Sequence, residues 1–144
     1  MKKLKERTLT VENFLEGKSE QTLMLFNHFV NAFQQLAPVT LHPAKTMIGI
    51  SNGRKRIAWI TALGKNFVHI VFPFSQPYHD NLCFTKIAQV PGTTQYNHHF
   101  RMFSTDDVND EVVQFMKRAL EVRGFEKVHD TSDQYKINVI RYTL

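Results

Sequence analysis

The residues of this chain best suited to chemistry are its histidines, its one cysteine and a few clustered charges. His79-Asp80 precedes the lone Cys83 by a few positions, and His98 adjoins His99. An acid, an imidazole and a thiol in such proximity suit nucleophilic or acid/base work. Cys83, however, alternates with Thr85 and Ile87 in a β-prone run, which reads first as a small core side chain. His98 and His99 cannot readily share a metal ion on a strand, because consecutive side chains point to opposite faces. Neither H-E-x-x-H nor H-x-H occurs, and His28, His42, His69, His79 and His129 are scattered. Asp106, Asp107, Asp110 and Glu111 cluster, and Asp107 would share a helical face with Asp110 or with Glu111, but at a helix start, where negative charge is favourable for local reasons. Gly17-Lys18-Ser19 ends like a phosphate-binding loop, yet Glu12 stands where that loop needs its first glycine, so a helix cap accounts for it.

The basic residues carry the better signal. Lys45 opens one β-prone segment, Arg54-Lys55-Arg56 opens the next, and Arg101 follows His99 by two. Alternation over residues 96–103 sets Tyr96, His98, Phe100 and Met102 on one face and Asn97, His99, Arg101 and Phe103 on the other. That second face presents an imidazole and a guanidinium to an anion. If strand pairing brings Arg56 or Lys45 alongside, a phosphate or carboxylate pocket results, with arginine supplying bidentate geometry. The competing reading is solvated charge on an exposed sheet face.

These positions need elements to hold them. Leu23, Phe26, Val30, Phe33 and Ala37 recur at helical spacing, Ser19 caps the start and Pro38 stops it, which predicts a helix over 19–37. From 39 to 103 short apolar runs alternate with turn formers, which predicts strands near 39–42, 45–50, 54–62, 66–74, 82–90 and 96–103. Asn52-Gly53 marks a tight hairpin and Gly64-Lys65-Asn66 the next turn. A second helix over 105–122 follows from Val108, Val112, Phe115, Met116, Ala119 and Leu120, with Ser104 or Thr105 as its cap and Gly124 as its stop. The remainder ends in a β-prone run, Tyr135 to Tyr142, expected as an added edge strand. The expected fold is one α+β domain over 1–144. An antiparallel meander packs against an N-terminal and a C-terminal helix.

Composition sets the outer bounds. The 144 residues carry 18 Lys plus Arg against 13 Asp plus Glu, a formal net charge of +5. Part of that excess sits in Lys2, Lys3, Lys5 and Arg7, so nucleic acid is only a weakly indicated partner. Neither predicted helix bears a basic stripe. One cysteine excludes an intramolecular disulfide framework and multi-cysteine metal sites, and points to the cytoplasm. The basic N-terminus lacks the apolar run of a signal peptide. No stretch approaches the ~20 apolar residues needed to span a bilayer, so no membrane role is expected. Twelve phenylalanines predict a Phe-packed core.

Taken in order, several short motifs resemble a bacterial family. They are Phe14-Leu15-Glu16-Gly17-Lys18, the helix with Leu23 and Phe26, Pro38-Val39, Lys45-Thr46-Met47-Ile48, Arg54-Lys55-Arg56-Ile57-Ala58-Trp59, His99-Phe100-Arg101 and Asp107-Val108-Asn109-Asp110-Glu111-Val112. This succession looks like the domain of unknown function DUF5655, over about 14–122, with 123–144 as an extension. The resemblance implies a compact α+β module and transfers no catalytic residue. Edge protection and dimerisation are the two roles open to the extension.

The functional expectation is a small cytoplasmic, non-catalytic module that binds an anionic small molecule or partner through its sheet face, with Lys45, Arg56, His99 and Arg101 as ligand contacts. No cofactor or metal is implied. The first alternative is an enzyme using His99, or His79 with Asp80, as acid/base in a pocket between sheet and helices. The second is a homodimer formed through the C-terminal strand.

Overall fold

The structure, a computed structural model, describes residues 9–121 of the chain. Two helices, α1 (Val11–Leu15) and α2 (Glu20–Leu36), precede six strands. These are β1 (Thr40–Pro43), β2 (Ile48–Ser51), β3 (Arg56–Gly64), β4 (Phe67–Phe74), β5 (Lys86–Gln89) and β6 (Tyr96–Met102). A 3-10 turn (Thr105–Asp107) then leads into α3 (Asp110–Leu120). The fold is α+β, with a six-stranded antiparallel sheet flanked by the N-terminal and C-terminal helices. The edge strand expected beyond Tyr135 lies outside the described residues.

Helix α2 forms where the periodicity places it. The Ser19 hydroxyl accepts from the Thr22 amide at 3.1 Å, satisfying one of the amides a helix start leaves open. The Thr22 hydroxyl donates to the Gly64 carbonyl at 2.6 Å and accepts from the Asn66 amide at 2.8 Å. Those two bonds fasten the start of α2 to the turn joining β3 and β4. Asn66 occupies that turn at φ 65°, a left-handed conformation that asparagine tolerates better than most residues. Helix α1 escapes sequence reading because five residues are too short to display a helical period. It is held by burial of Val11 and Leu15 and by the Thr10 side chain, which accepts from the Asn13 amide.

The predicted helix over 105–122 divides in two. Ser104 and Asp107 cap each other across the 3-10 turn, the backbone leaves helical geometry at Val108, and Asn109 caps α3 by accepting from the Val112 amide at 3.0 Å. One Asp107 carboxylate oxygen accepts from the amides of Phe103 and Ser104 at 2.7 and 3.0 Å. The acidic cluster is thus partly consumed in ending β6 and starting the next element.

A plain meander would place β5 beside β4, and the sheet departs from it: its order is β1-β2-β3-β4-β6-β5. Burial explains the exchange. Strand β6 buries His98, Phe100 and Met102 and pairs along β4 from Val68↔Met102 to Phe74↔Tyr96. Strand β5 has four residues, none fully buried, and suits an edge. The residues expected in a strand from 82 therefore enter one only at Lys86, which leaves Cys83 in the connecting loop.

All of this organises one covered sheet face. Ile48, Ile60, Ile70 and Phe100 align across four strands, and Phe29 and Phe33 of α2 pack on Phe72 with ring centroids 6.4 Å apart. Phe115 of α3 meets Phe74 at 5.8 Å and Phe84 at 4.8 Å. The Phe-packed core is as expected. Among the described residues no helix is long and apolar enough to cross a membrane.

Candidate functional site

The face turned away from the helices is built by the other half of each strand's alternation. Across it run His42↔Gly49↔Trp59↔Val71↔His99↔Lys86, one residue from each strand. One pair further along, His69 stands opposite Arg101. None of the six strands contains an aspartate or glutamate. From Gln21 to Thr105 the acidic residue is Asp80 alone, against Lys45, Arg54, Lys55, Arg56, Lys65, Lys86 and Arg101. Apart from Asp80, the carboxylates among the described residues lie on the helical elements or their caps, at Glu12, Glu16, Glu20, Asp106, Asp107, Asp110, Glu111 and Glu121.

Two histidines and an arginine form a hydrogen-bonded row on this face. Arg101 Nε donates to His69 Nδ1 at 3.1 Å, and His69 Nε2 lies 2.9 Å from His99 Nδ1. With its Nδ1 accepting, a neutral His69 carries its proton on Nε2 and donates to His99 Nδ1. His99 then carries its own proton on Nε2, at the end of the row. The Arg101 guanidinium also lies 4.3 Å above the Phe67 ring, an attraction between cation and π face that restrains it beside the sheet. Phe67 in turn lies over Gly64, its cross-strand partner, where an added Cβ would collide with the ring. Both histidines titrate below their ordinary value of 6.5. For His69 burial is the main cause, then the charge of Arg101; for His99 it is burial, then Lys86 across the strand pair.

A second cluster occupies the β1–β3 end. Arg56 and Trp59 lie side by side over Gly49, where a Cβ would come within 2.8 Å of Arg56 Cδ and 3.0 Å of the indole. His42 faces the same cluster and titrates below its ordinary value through burial and then the Arg56 charge. The Thr40 hydroxyl is 2.6 Å from His42 Nε2. A groove of about 410 Å³ opens beside Trp59, bounded by Lys55 and Arg56, by Pro73, and by residues 93–95 of the β5–β6 loop.

The four residues selected from sequence therefore fall in three places. His99 and Arg101 meet through His69. Arg56 belongs to the Trp59 cluster, two strand spacings from His99, or roughly 10 Å. Lys45 does not open a strand: it is exposed in the turn joining β1 and β2, at the end of β2 away from Arg56. No single pocket gathers all four.

Sequence reading missed His69, Trp59, His42 and Lys86. The alternation of Phe67, His69, Val71 and Pro73 with buried Val68, Ile70, Phe72 and Phe74 would have placed His69 outward, and the long acid-poor stretch would have marked the face as basic.

The remaining chemical candidates lie elsewhere. His98 points into the core, where Nδ1 donates to the Tyr96 carbonyl at 2.9 Å and Nε2 accepts from the Tyr78 amide at 3.1 Å. The Cys83 thiol is pushed up to about 12 by burial and then by the nearby Glu111 carboxylate, which leaves it protonated and a poor nucleophile. His79 and Asp80 are exposed in the β4–β5 connection. Among the described residues no group of three or more His, Cys, Asp or Glu is placed to hold a metal ion.

Comparison with curated proteins and with solved structures finds no match. The family model of a domain of unknown function matches residues 11–123, from the first residue of α1 to just past α3, and the chain therefore belongs to the DUF5655 family.

Proposed function

We propose that this chain is a single-domain binding module of the cytoplasm that engages an anionic ligand through the open face of its sheet. The observation that carries this reading is the Arg101–His69–His99 row on strands without a carboxylate. A guanidinium resting on Phe67 loses less freedom when it donates to an oxyanion, and Lys86 adds a second positive charge across the strand pair from His99. An approaching anion also favours protonation of the row, so affinity rises as pH falls through the histidine range. Arg56 and Lys45 extend the positive surface toward the other end of the sheet. The acid/base alternative rests on His99 alone, since His79 and Asp80 stand apart from the row.

The test is a titration with inorganic pyrophosphate, followed by the NMR signals of the histidine ring nitrogens. Signals of His69 and His99 should shift, the shift should shrink at high salt, and the double variant Arg56→Gln, Arg101→Gln should abolish it while remaining folded. Absence of any shift at millimolar pyrophosphate would overturn the proposal.

A further inference from the structure

The groove beside Trp59 differs in chemistry from the histidine row. Its floor is apolar and ring-shaped, from the Trp59 indole and the Pro73 pyrrolidine on neighbouring strands. One wall is cationic, from Lys55 and Arg56, and neither forms an ion pair among the described residues. The opposite wall includes Thr94, whose hydroxyl makes no hydrogen bond within the described residues. At about 410 Å³ the groove lies within the size range of small-ligand sites.

Gly49 turns these parts into one arrangement. A Cβ there would meet Arg56 Cδ and Nε at 2.8 and 2.9 Å and the indole edge at 3.0 Å, so the end of the arginine would have to move aside. Without one, the Arg56 side chain and the edge of the indole lie side by side over the glycine, so that a planar ring stacked on Trp59 would bring an attached anionic group toward Arg56 and Lys55. Stacking on an aromatic face is open to every nucleobase, and guanidinium matches phosphate geometry.

We infer that this groove is a binding site for a nucleoside monophosphate, with the base on Trp59, the phosphate on Arg56 and Lys55, and Thr94 hydrogen-bonding between them. The inference rests on the open face being an anion-binding surface and assigns a ligand class to its β3–β4 part.

Trp59 is the single tryptophan of the chain, so its emission reports the site directly. The full-length protein is titrated with AMP, ribose 5-phosphate and pyrophosphate. AMP should quench Trp59 and bind roughly ten-fold tighter than ribose 5-phosphate, the margin expected of one stacked base. Calorimetry on Trp59→Leu should show that margin gone, and Arg56→Gln should weaken both phosphate esters. Circular dichroism checks that each variant is folded. If Trp59→Leu does not fold, Arg56→Gln and the wild-type ratio decide alone. Equal affinity for AMP and ribose 5-phosphate overturns the nucleotide site, as does binding of a single-stranded oligonucleotide where AMP fails. In either case a pyrophosphate shift at His69 and His99 leaves the anion-binding face standing; its loss removes both.

Discussion

His98 and His99 are one peptide unit apart on β6, and the sheet gives them opposite work. His98 has no exposed surface, spends both ring nitrogens on main-chain partners, and sits among the rings of Phe74, Tyr78 and Phe84, with centroids 5.1, 5.5 and 4.9 Å away. By accepting from the Tyr78 amide it anchors the loop that carries the chain past β6 to β5. His99 is partly exposed, bonds only a side chain through its ring, and faces Lys86. Residue type alone says nothing of role here. The parity of the position on the strand decides whether an imidazole serves as a structural bracket or as a group open to ligand.

The largest way to break this contrast is to truncate each ring. His98→Ala empties a packed aromatic site and orphans the buried Tyr78 amide, and should cost about 3 kcal/mol in urea unfolding. His99→Ala should stay within about 0.5 kcal/mol while weakening pyrophosphate binding. Equal costs would mean that the open face is as structural as the covered one.

A smaller effect tests how the open face is kept flat. Gly64→Val would drive Phe67 out from over the glycine and take the stacked support from Arg101. It should cost about 1–2 kcal/mol by overpacking and weaken pyrophosphate binding, whereas the AMP-to-ribose 5-phosphate ratio at Trp59 should not change. A change in that ratio would show that the two clusters of the face act as one.

The gentlest perturbation is pH. For a histidine whose folded pKa lies below 6.5, both states are neutral above that value and its contribution is complete. As pH falls below 6.5 the unfolded chain takes up the proton first, so stability is lost down to the folded pKa. Burial places His98 in this class, and His42, His69 and His99 act in the same direction. The urea midpoint should therefore fall between pH 7 and pH 5, roughly the range just below the unfolded histidine value, while pyrophosphate affinity rises over the same range. A midpoint that rises on acidification would contradict the assignment of neutral folded rings.

Much of the frame was legible in the residues. Ser19 and Pro38 bound α2 because capping and ring sterics act within a turn. Asn52 and Gly53 mark the β2–β3 turn, where the Asn52 side-chain oxygen accepts from the Arg54 and Lys55 amides at 2.8 and 3.0 Å and Gly53 takes φ 98°. Alternation along β6 sorted His98 from His99 before any partner strand was known. The short α1 was invisible because its stability comes from burying Val11 and Leu15, and the helix expected from 105 was overdrawn because Ser104 and Asn109 are both competent caps.

The candidate site was less legible, since its parts meet only across strands. His69 lies 30 residues from His99 along the chain, and only the pairing of β4 with β6 sets them 2.9 Å apart. Arg56 and Trp59 stand together because β2 offers a glycine beneath both, and Lys45 is set apart because it falls in the turn between β1 and β2. The sequence by itself determined the helices, the turns, the two-sided pattern of each strand and the excess of basic over acidic residues through the sheet, because capping, φ preference and side-chain period are properties of neighbouring residues. The tertiary structure alone decided which strand lies beside β4, and with it which basic and aromatic groups share a surface, because pairing is chosen by how much apolar area each strand can bury against the helices.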